Sequence, residues 1–307
     1  MITVAGFNSA IDRLVDVGSL RAGEVNRSTP ADERPGGKGV HVAQTLAALG
    51  VPVTLVGLCD DAHAAEFSER LRLRGVDFRA VRSPVPLRQC LAIREASGRI
   101  TEVLERSDDP GEDTRFVLDQ VLRHWALESE AVVCTGSLPP GFDPAYYAGI
   151  AGELALPCAI DASGDALRLA AEASPWVLKP NAAEAADLLG TPVNTMGDAA
   201  AVVRALHARG VRHAVLTLGA QGAVAVNEHG AWQATLHVQG VRNTVGSGDC
   251  FLGGLVAGLV RGEALGVALR LAVACGAANA LGEETGFVRL DTVDGLQPLV
   301  RIEPLDV

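Results

Sequence analysis

The chain has 307 residues, 48% hydrophobic and 21% charged, a balance that suits a folded globular protein and excludes a disordered one. Its formal net charge of -11 speaks against non-specific binding to nucleic acid or to an anionic membrane surface. A local basic pocket for an anionic small molecule is still allowed.

Short apolar runs at 2–6, 53–57, 131–135, 157–161, 176–178 and 213–218 read as strands. Helical patterns fall between them, near 38–49, 62–74, 113–127, 143–153, 164–172 and 197–209. This alternation predicts an α/β fold with a mainly parallel sheet, covered by helices on both faces. Residues 223–226 and 231–236 read as a hairpin joined by Asn227-Glu228-His229-Gly230, followed by two Ala/Gly/Leu helices near 249–260 and 264–281. The second helix is apolar, yet Arg270 and Asn279 interrupt it, so it is expected to be buried rather than to span a membrane. The start, Met1 to Asn8, lacks a basic region and Asp12 follows early, unlike an export signal. Six cysteines without a CxxC spacing read as reduced thiols of a cytoplasmic protein, and no zinc-ligand spacing is seen. Two segments break the rhythm: 11–33, and the strand pair 88–94 and 100–105 around Ala96-Ser97-Gly98. They predict a small β-sheet lid on a single domain spanning 1–307.

Only two lysines, Lys38 and Lys179, occur among 26 basic residues. Both lie in short Gly or Pro motifs, where a compact point charge suits a phosphate; chance placement is the alternative. The sharpest motif is Asn243-Thr-Val-Gly246-Ser247-Gly248-Asp249, predicted to turn into a helix starting near Asp249. Amides at such a start lack internal partners and attract anions, and Asp249 at its mouth is placed to accept a hydroxyl proton. An N-capping Asp after a glycine turn would look the same. Gly36-Gly37-Lys38-Gly39 lets a backbone approach a ligand and is not a Walker motif, since Val40 follows; a plain glycine turn before a helix is the alternative. Gly136-Ser137 and Lys179-Pro180-Asn181 follow strands at the end where parallel sheets gather ligands. Asn181 and Glu184 could together face a hydrated magnesium, or Glu184 could simply complement the helix dipole. Thr217 to Gly222 forms a glycine turn between strands.

In combination and order these motifs resemble the PfkB, or ribokinase-like, carbohydrate kinases from end to end. Asn8-Ser-Ala-Ile-Asp12, Gly136-Ser-Leu-Pro-Pro-Gly141 and Lys179-Pro-Asn181 resemble the branch containing 1-phosphofructokinases and tagatose-6-phosphate kinases. The resemblance implies a three-layer α/β/α sandwich with a projecting β-lid. It implies ATP and Mg2+, with Asp249 as base and the amides of Gly246, Ser247 and Gly248 as anion hole. Asp12, Gly36, Gly37, Lys38 and His41 would meet the sugar, and Arg88 and Ser137 its existing phosphate. Lys179, Asn181, Thr217, Gly219, Gly222, Val273, Gly276 and Ala277 would serve the nucleotide, and Asn181 with Glu184 the metal through water. It also implies a homodimer through the lid.

The chain departs from the branch pattern at several points. His41 and Cys90 stand where asparagine is common, Ser9 where NPA is typical, and Leu104-Glu-Arg-Ser107 where a Pro-Gly is expected. Asn243 and Ser247 replace Asp and Ala of the C-terminal signature. The leading expectation is a kinase of a phosphorylated ketohexose, of the fructose-1-phosphate, tagatose-6-phosphate or fructose-6-phosphate type. His41 and Cys90 motivate a second, a kinase of an unphosphorylated sugar, polyol or nucleoside, because a site built for lost hydrogen bonds changes its selectivity. A non-catalytic sensor is opposed by the intact Asp249, Lys179 and Glu184.

Overall fold

A computed structural model describes residues 1–305. Strand β1 (Ile2–Ala5) is wholly buried, and the chain then leaves the main sheet for β2 (Ala10–Val17) and β3 (Asp32–Gly36). β3 runs directly into α1 (Lys38–Ala48), followed by β4 (Val53–Cys59), α2 (Ala64–Leu73) and β5 (Asp77–Arg82). A second excursion makes β6 (Arg88–Glu95) and β7 (Ile100–Leu104). The chain then alternates through α3 (Glu112–Ala126), β8 (Ala131–Thr135), α4 (Tyr146–Glu153), β9 (Cys158–Asp161), α5 (Gly164–Glu172) and β10 (Val177–Leu178). Next come α6 (Ala182–Leu189), α7 (Met196–Ala208), β11 (His213–Thr217), β12 (Ala223–Asn227) and β13 (Gly230–Thr235). The last elements are α8 (Ser247–Val260), α9 (Leu265–Leu281), α10 (Leu290–Leu296) and β14 (Arg301–Leu305).

These strands make a 10-stranded sheet in the order β14-β13-β12-β11-β10-β9-β8-β1-β4-β5. From β11 to β5 every neighbour is parallel, and β12, β13 and β14 pair antiparallel. The central strands β1, β4, β8 and β9 are buried at every residue, so both sheet faces are covered. Among the described residues no helix is long and apolar enough to cross a membrane.

The two edge strands were not anticipated. β5, DFRAVR, is mostly exposed, and β14, RIEPL, carries Pro304. Edge positions tolerate polar residues and proline because one row of backbone groups needs no partner in the sheet. The short α10 was also missed. The hairpin is tighter than expected, because Asn227 pairs with Gly230 and leaves a two-residue turn.

Helix α8 packs between α1 and α9. A Cβ on Gly253 would lie 2.8 Å from Thr45 Cβ, and one on Gly254 would lie 2.8 Å from Cys275 Sγ. The glycines therefore set how near these helices come, which decides where the start of α8 points.

The two excursions meet as a 4-stranded sheet, β3-β2-β6-β7, with Asp12 in register with Cys90. Residues 18–31 lie outside its strands, while β2 begins at Ala10 and β3 continues to Gly36. Two neighbouring carboxylates tie this sheet to the body. Glu283 pairs with Arg94 of β6 and with Arg242, and Glu284 pairs with Arg34 of β3 and with Arg74, the C-cap of α2.

Candidate active site

The residues singled out from sequence fall largely at the carboxyl ends of the parallel strands, under the small sheet. Lys38 and His41 occupy the first turn of α1, whose N-cap Gly37 has φ 94, a backbone conformation that glycine adopts without strain. His41 is only 4% exposed. Its Nε2 lies 2.7 Å from Asp12 Oδ2 of β2, and its Nδ1 lies 2.7 Å from Asp249 Oδ2 of α8. Burial pushes the imidazole pKa down, but the charges and hydrogen bonds of Asp12 and Asp249 outweigh it and raise the group to about 10. Glycines shape the space around the ring. A Cβ on Gly286 would fall 2.0 Å from His41 Cδ2, one on Gly246 3.2 Å from Nδ1, and one on Gly36 2.1 Å from Asp12 Cγ.

Helix α8 starts two residues before Asp249, correcting the expected start. Gly246 takes φ 80 as N-cap, and Asp249 is the third helical residue. Of the three amides expected to form an anion hole, Ser247 donates to the Thr244 carbonyl at 3.2 Å. The N–H groups of Gly246 and Gly248 have no backbone acceptor among the described residues. Lys179 reaches this helix end: its Nζ lies 3.9 Å from where a Cβ on Gly248 would be. Two open amides and an ammonium at a helix N-terminus make a fitting cradle for a phosphoryl group.

Asp161, at the end of β9, escaped sequence reading. It is 1% exposed, with Lys38 Nζ 3.3 Å from Oδ1 and Lys179 Nζ 3.2 Å from Oδ2. Both lysines of the chain thus meet on one carboxylate. Burial raises its pKa, but Lys179 and Lys38 outweigh that and hold it below the usual range. In return Asp161 raises the pKa of Lys38. The residue signals nothing by itself in sequence, being a lone acid closing an apolar strand. Asn279 was noted only as an interruption of α9. It is fully buried, and its Nδ2 donates to the Val245 carbonyl and to Ser247 Oγ, both at 2.9 Å, bracing the turn before α8.

On the lid side, Asn8 joins two expected phosphate contacts. Its Nδ2 donates to Ser137 Oγ at 2.8 Å, and Arg88 Nη2 donates to its carbonyl at 3.4 Å. Arg88 Nε is buried without a hydrogen-bond partner among the described residues, a donor left over for a bound group. Cys90, in register with Asp12, is a neutral thiol that burial pushes up to about 11.

On the other side, Asn181 and Glu184 form a reciprocal capping box on α6, Asn181 Oδ1 accepting from the Glu184 amide at 2.9 Å and Glu184 Oε2 from the Asn181 amide at 2.8 Å. Glu184 Oε1 takes no hydrogen bond among the described residues, and hard carboxylate and amide oxygens fit a hydrated Mg2+ that keeps most of its waters. Among the described residues no group of three or more His, Cys, Asp and Glu could hold a metal directly. Thr217, the last residue of β11, forms a parallel β-bridge with Asn181. Gly219 is exposed and Gly222 closes its turn at φ 104. Val273 belongs to the core, while Gly276 and Ala277 are half-buried, with Gly276 packed against the Ser247 carbonyl. A cavity of about 180 Å³ lined by Arg34, Arg70, Arg74 and Glu284 contains none of the expected site residues.

The family profile for the pfkB family carbohydrate kinases matches residues 2–292. The chain is 30% identical over 304 residues to the 1-phosphofructokinase of Escherichia coli strain K12, covering 97% of each. Among solved structures it is similar to phosphofructokinase-2 from Escherichia coli in complex with substrates and products, at TM-score 0.89 and 24% identity, covering 97% of this chain and 98% of that one. It is also similar to a protein from Staphylococcus aureus described as a putative phosphofructokinase, at TM-score 0.80 and 26% identity, covering 100% and 99%.

Proposed function

The chain belongs to the pfkB family of carbohydrate kinases, and we propose that it transfers the γ-phosphoryl group of ATP, with Mg2+, to a hydroxyl of a phosphorylated ketohexose. The observation that carries this reading is the set of contacts that links the groups of the site. Asn8 joins Arg88 to Ser137, Arg88 lies two residues along β6 from the partner of Asp12, His41 joins Asp12 to Asp249, and Lys179 reaches Gly248 beside Asp249. Such a set suits a substrate with a phosphate near Arg88 and a reacting hydroxyl near Asp249.

In this reading Arg88 and Ser137 hold the sugar's phosphate, and Asp12 binds a hydroxyl. Asp249 orients the reacting hydroxyl and takes its proton as the new P–O bond forms and the bond to the leaving phosphate breaks. The Gly246 and Gly248 amides and the Lys179 ammonium stabilise charge on the transferred group without reorganising. Asp161 keeps Lys38 and Lys179 extended towards the site. Asn181 and Glu184 would hold Mg2+ through water, and the metal would neutralise charge between the phosphates. Thr217, Gly219, Gly222, Gly276 and Ala277 line the nucleotide side, with Val273 behind them. The small sheet closes over the sugar and excludes water, and it pairs with a second copy through its outer surface, where Val103 is 54% exposed.

The test is ADP release by purified protein with Mg2+ and ATP against a panel of sugars and sugar phosphates. Saturable turnover with fructose-1-phosphate, tagatose-6-phosphate or fructose-6-phosphate is expected. Turnover confined to unphosphorylated compounds would overturn the substrate class and leave the kinase.

A further inference from the structure

We propose that His41 is a positioning residue: a doubly hydrogen-bonded imidazolium, clamped between Asp12 of the lid and Asp249 of the body, that sets the orientation of the candidate base when the lid is closed. The role assigned to Asp249 rests on the kinase reading; the clamp itself does not.

The geometry calls for the charge when both carboxylates are ionised. A neutral imidazole has one N–H and can donate to one carboxylate. Here two carboxylate oxygens each lie 2.7 Å from a different ring nitrogen. With both carboxylates ionised, both nitrogens must carry protons. Such charge-assisted bonds are short and about twice as strong as neutral ones, and burial of the ring, 4% exposed, limits competition from water. The raised pKa of the group agrees with this.

The charged groups facing the ring come from three elements besides α1. Asp12 is on β2, Asp249 on α8, and Glu102 on β7. The Glu102 carboxyl is pushed up by desolvation and by the negative charges of Asp12 and Asp249, while His41 lowers it. Without a cation between them, Asp12 and Asp249 would repel one another across the space a substrate must enter. His41 removes that repulsion.

The clamp also leaves oxygens open. It occupies Asp249 Oδ2 and Asp12 Oδ2, and no protein group among the described residues bonds Oδ1 of either. Asp249 Oδ1 is therefore the atom presented to a substrate hydroxyl, and Asp12 Oδ1 can meet another. Because Asp12 rides on the small sheet and Asp249 on α8, the clamp is complete only while the two are together. Opening the lid would remove one of the two bonds that fix the ring. This assigns His41 away from the direct substrate contact expected from sequence. Gly286, Gly246 and Gly36 fit this role, since their lack of side chains makes room for the ring and its partner.

The experiment is a two-bond 1H–15N imidazole correlation spectrum of the full-length wild-type protein from pH 6 to pH 9, with the His41 signal assigned by its loss in His41→Asn. Both ring nitrogens are expected to stay protonated throughout. In Asp12→Asn the ring is expected to titrate at a lower pH than in wild type. A wild-type ring that titrates near the ordinary histidine value, about 6.5, would overturn the proposal whatever the enzyme phosphorylates. In kinetics, His41→Asn is expected to lower kcat about a hundredfold, the scale of a misplaced reacting group, with KM for ATP unchanged. It should also abolish a fall in wild-type kcat as pH rises towards about 10. A variant whose kcat stays within threefold of wild type, or whose alkaline limb is unchanged, would show a merely structural histidine. An absence of turnover with every sugar tested would count against the kinase reading and leave the spectroscopic result standing.

Discussion

Replacing Gly286 by alanine probes the packing that makes the centre of the site. Two penalties meet there. The backbone has φ +64, where alanine is strained, at about 1 kcal/mol. The new Cβ would lie 2.0 Å from His41 Cδ2 and 2.1 Å from Cγ, against ordinary contact at 3.4–4 Å. The ring must retreat by more than an ångström or the loop must lift. Either movement breaks at least one of the 2.7 Å bonds to Asp12 and Asp249. Overpacking costs about 1–3 kcal/mol and a lost hydrogen bond to a charged group about 1.5–3 kcal/mol. The expected destabilisation is on the order of 5 kcal/mol, a large part of a typical domain's stability. Gly50→Ala is the control: φ there is +75, with nothing within 4 Å of the built Cβ, so it pays the backbone penalty alone. Urea unfolding followed by circular dichroism compares the two. A Gly286→Ala protein within about 0.5 kcal/mol of Gly50→Ala, the scale of ordinary surface substitutions, would refute the account of a ring held by its glycine walls.

Stability should also report the charge on His41. A group raised from 6.5 to about 10 on folding contributes stability that is complete below pH 6.5 and lost as pH rises to about 10. The expected slope is about 1.4 kcal/mol per pH unit, absent in His41→Asn; equal slopes in the two proteins would contradict it. Asp161→Asn leaves the buried Lys179 without its anion and should cost about 3–5 kcal/mol in urea unfolding, whereas a loss below 1 kcal/mol would mean the pair is dispensable. Arg88→Ala should raise KM for a phosphorylated sugar about ten- to a hundredfold, the worth of one charged hydrogen bond, and leave KM for ATP unchanged; an unchanged sugar KM would detach Arg88 from the phosphate. Sedimentation should give the mass of two chains, and Val103→Asp on the outer surface of β7 should give one; a wild-type mass of one chain would remove the dimer.

Much of the architecture was legible because its causes are local. Buried strands read as apolar runs, α5 and β8 were found at their observed bounds, and the small second sheet announced itself as two breaks in the alternation. The edge strands β5 and β14 were hidden, because half-solvated positions carry no strong apolar signal. The start of α8 was misjudged by two residues, since Gly246 rather than Asp249 takes the capping conformation. Lys38, Lys179, Asp249 and the glycine turns were visible as motifs for the same local reason, that turn chemistry is written in adjacent residues.

What the sequence determined by itself was the alternating fold, the glycine turns that open α1 and α8, and the motifs that hold Lys38, Lys179 and Asp249. Which of these groups touch was decided by tertiary structure alone. His41 lies 29 residues from Asp12 and 208 from Asp249, and Asp161 lies 123 residues from Lys38. Periodicity and turn propensity act over a few residues. The meeting of buried charges depends on strand order, on the close approach of α8 to α1 that Gly253 permits, and on burial, which makes an unpaired charge too costly to leave alone.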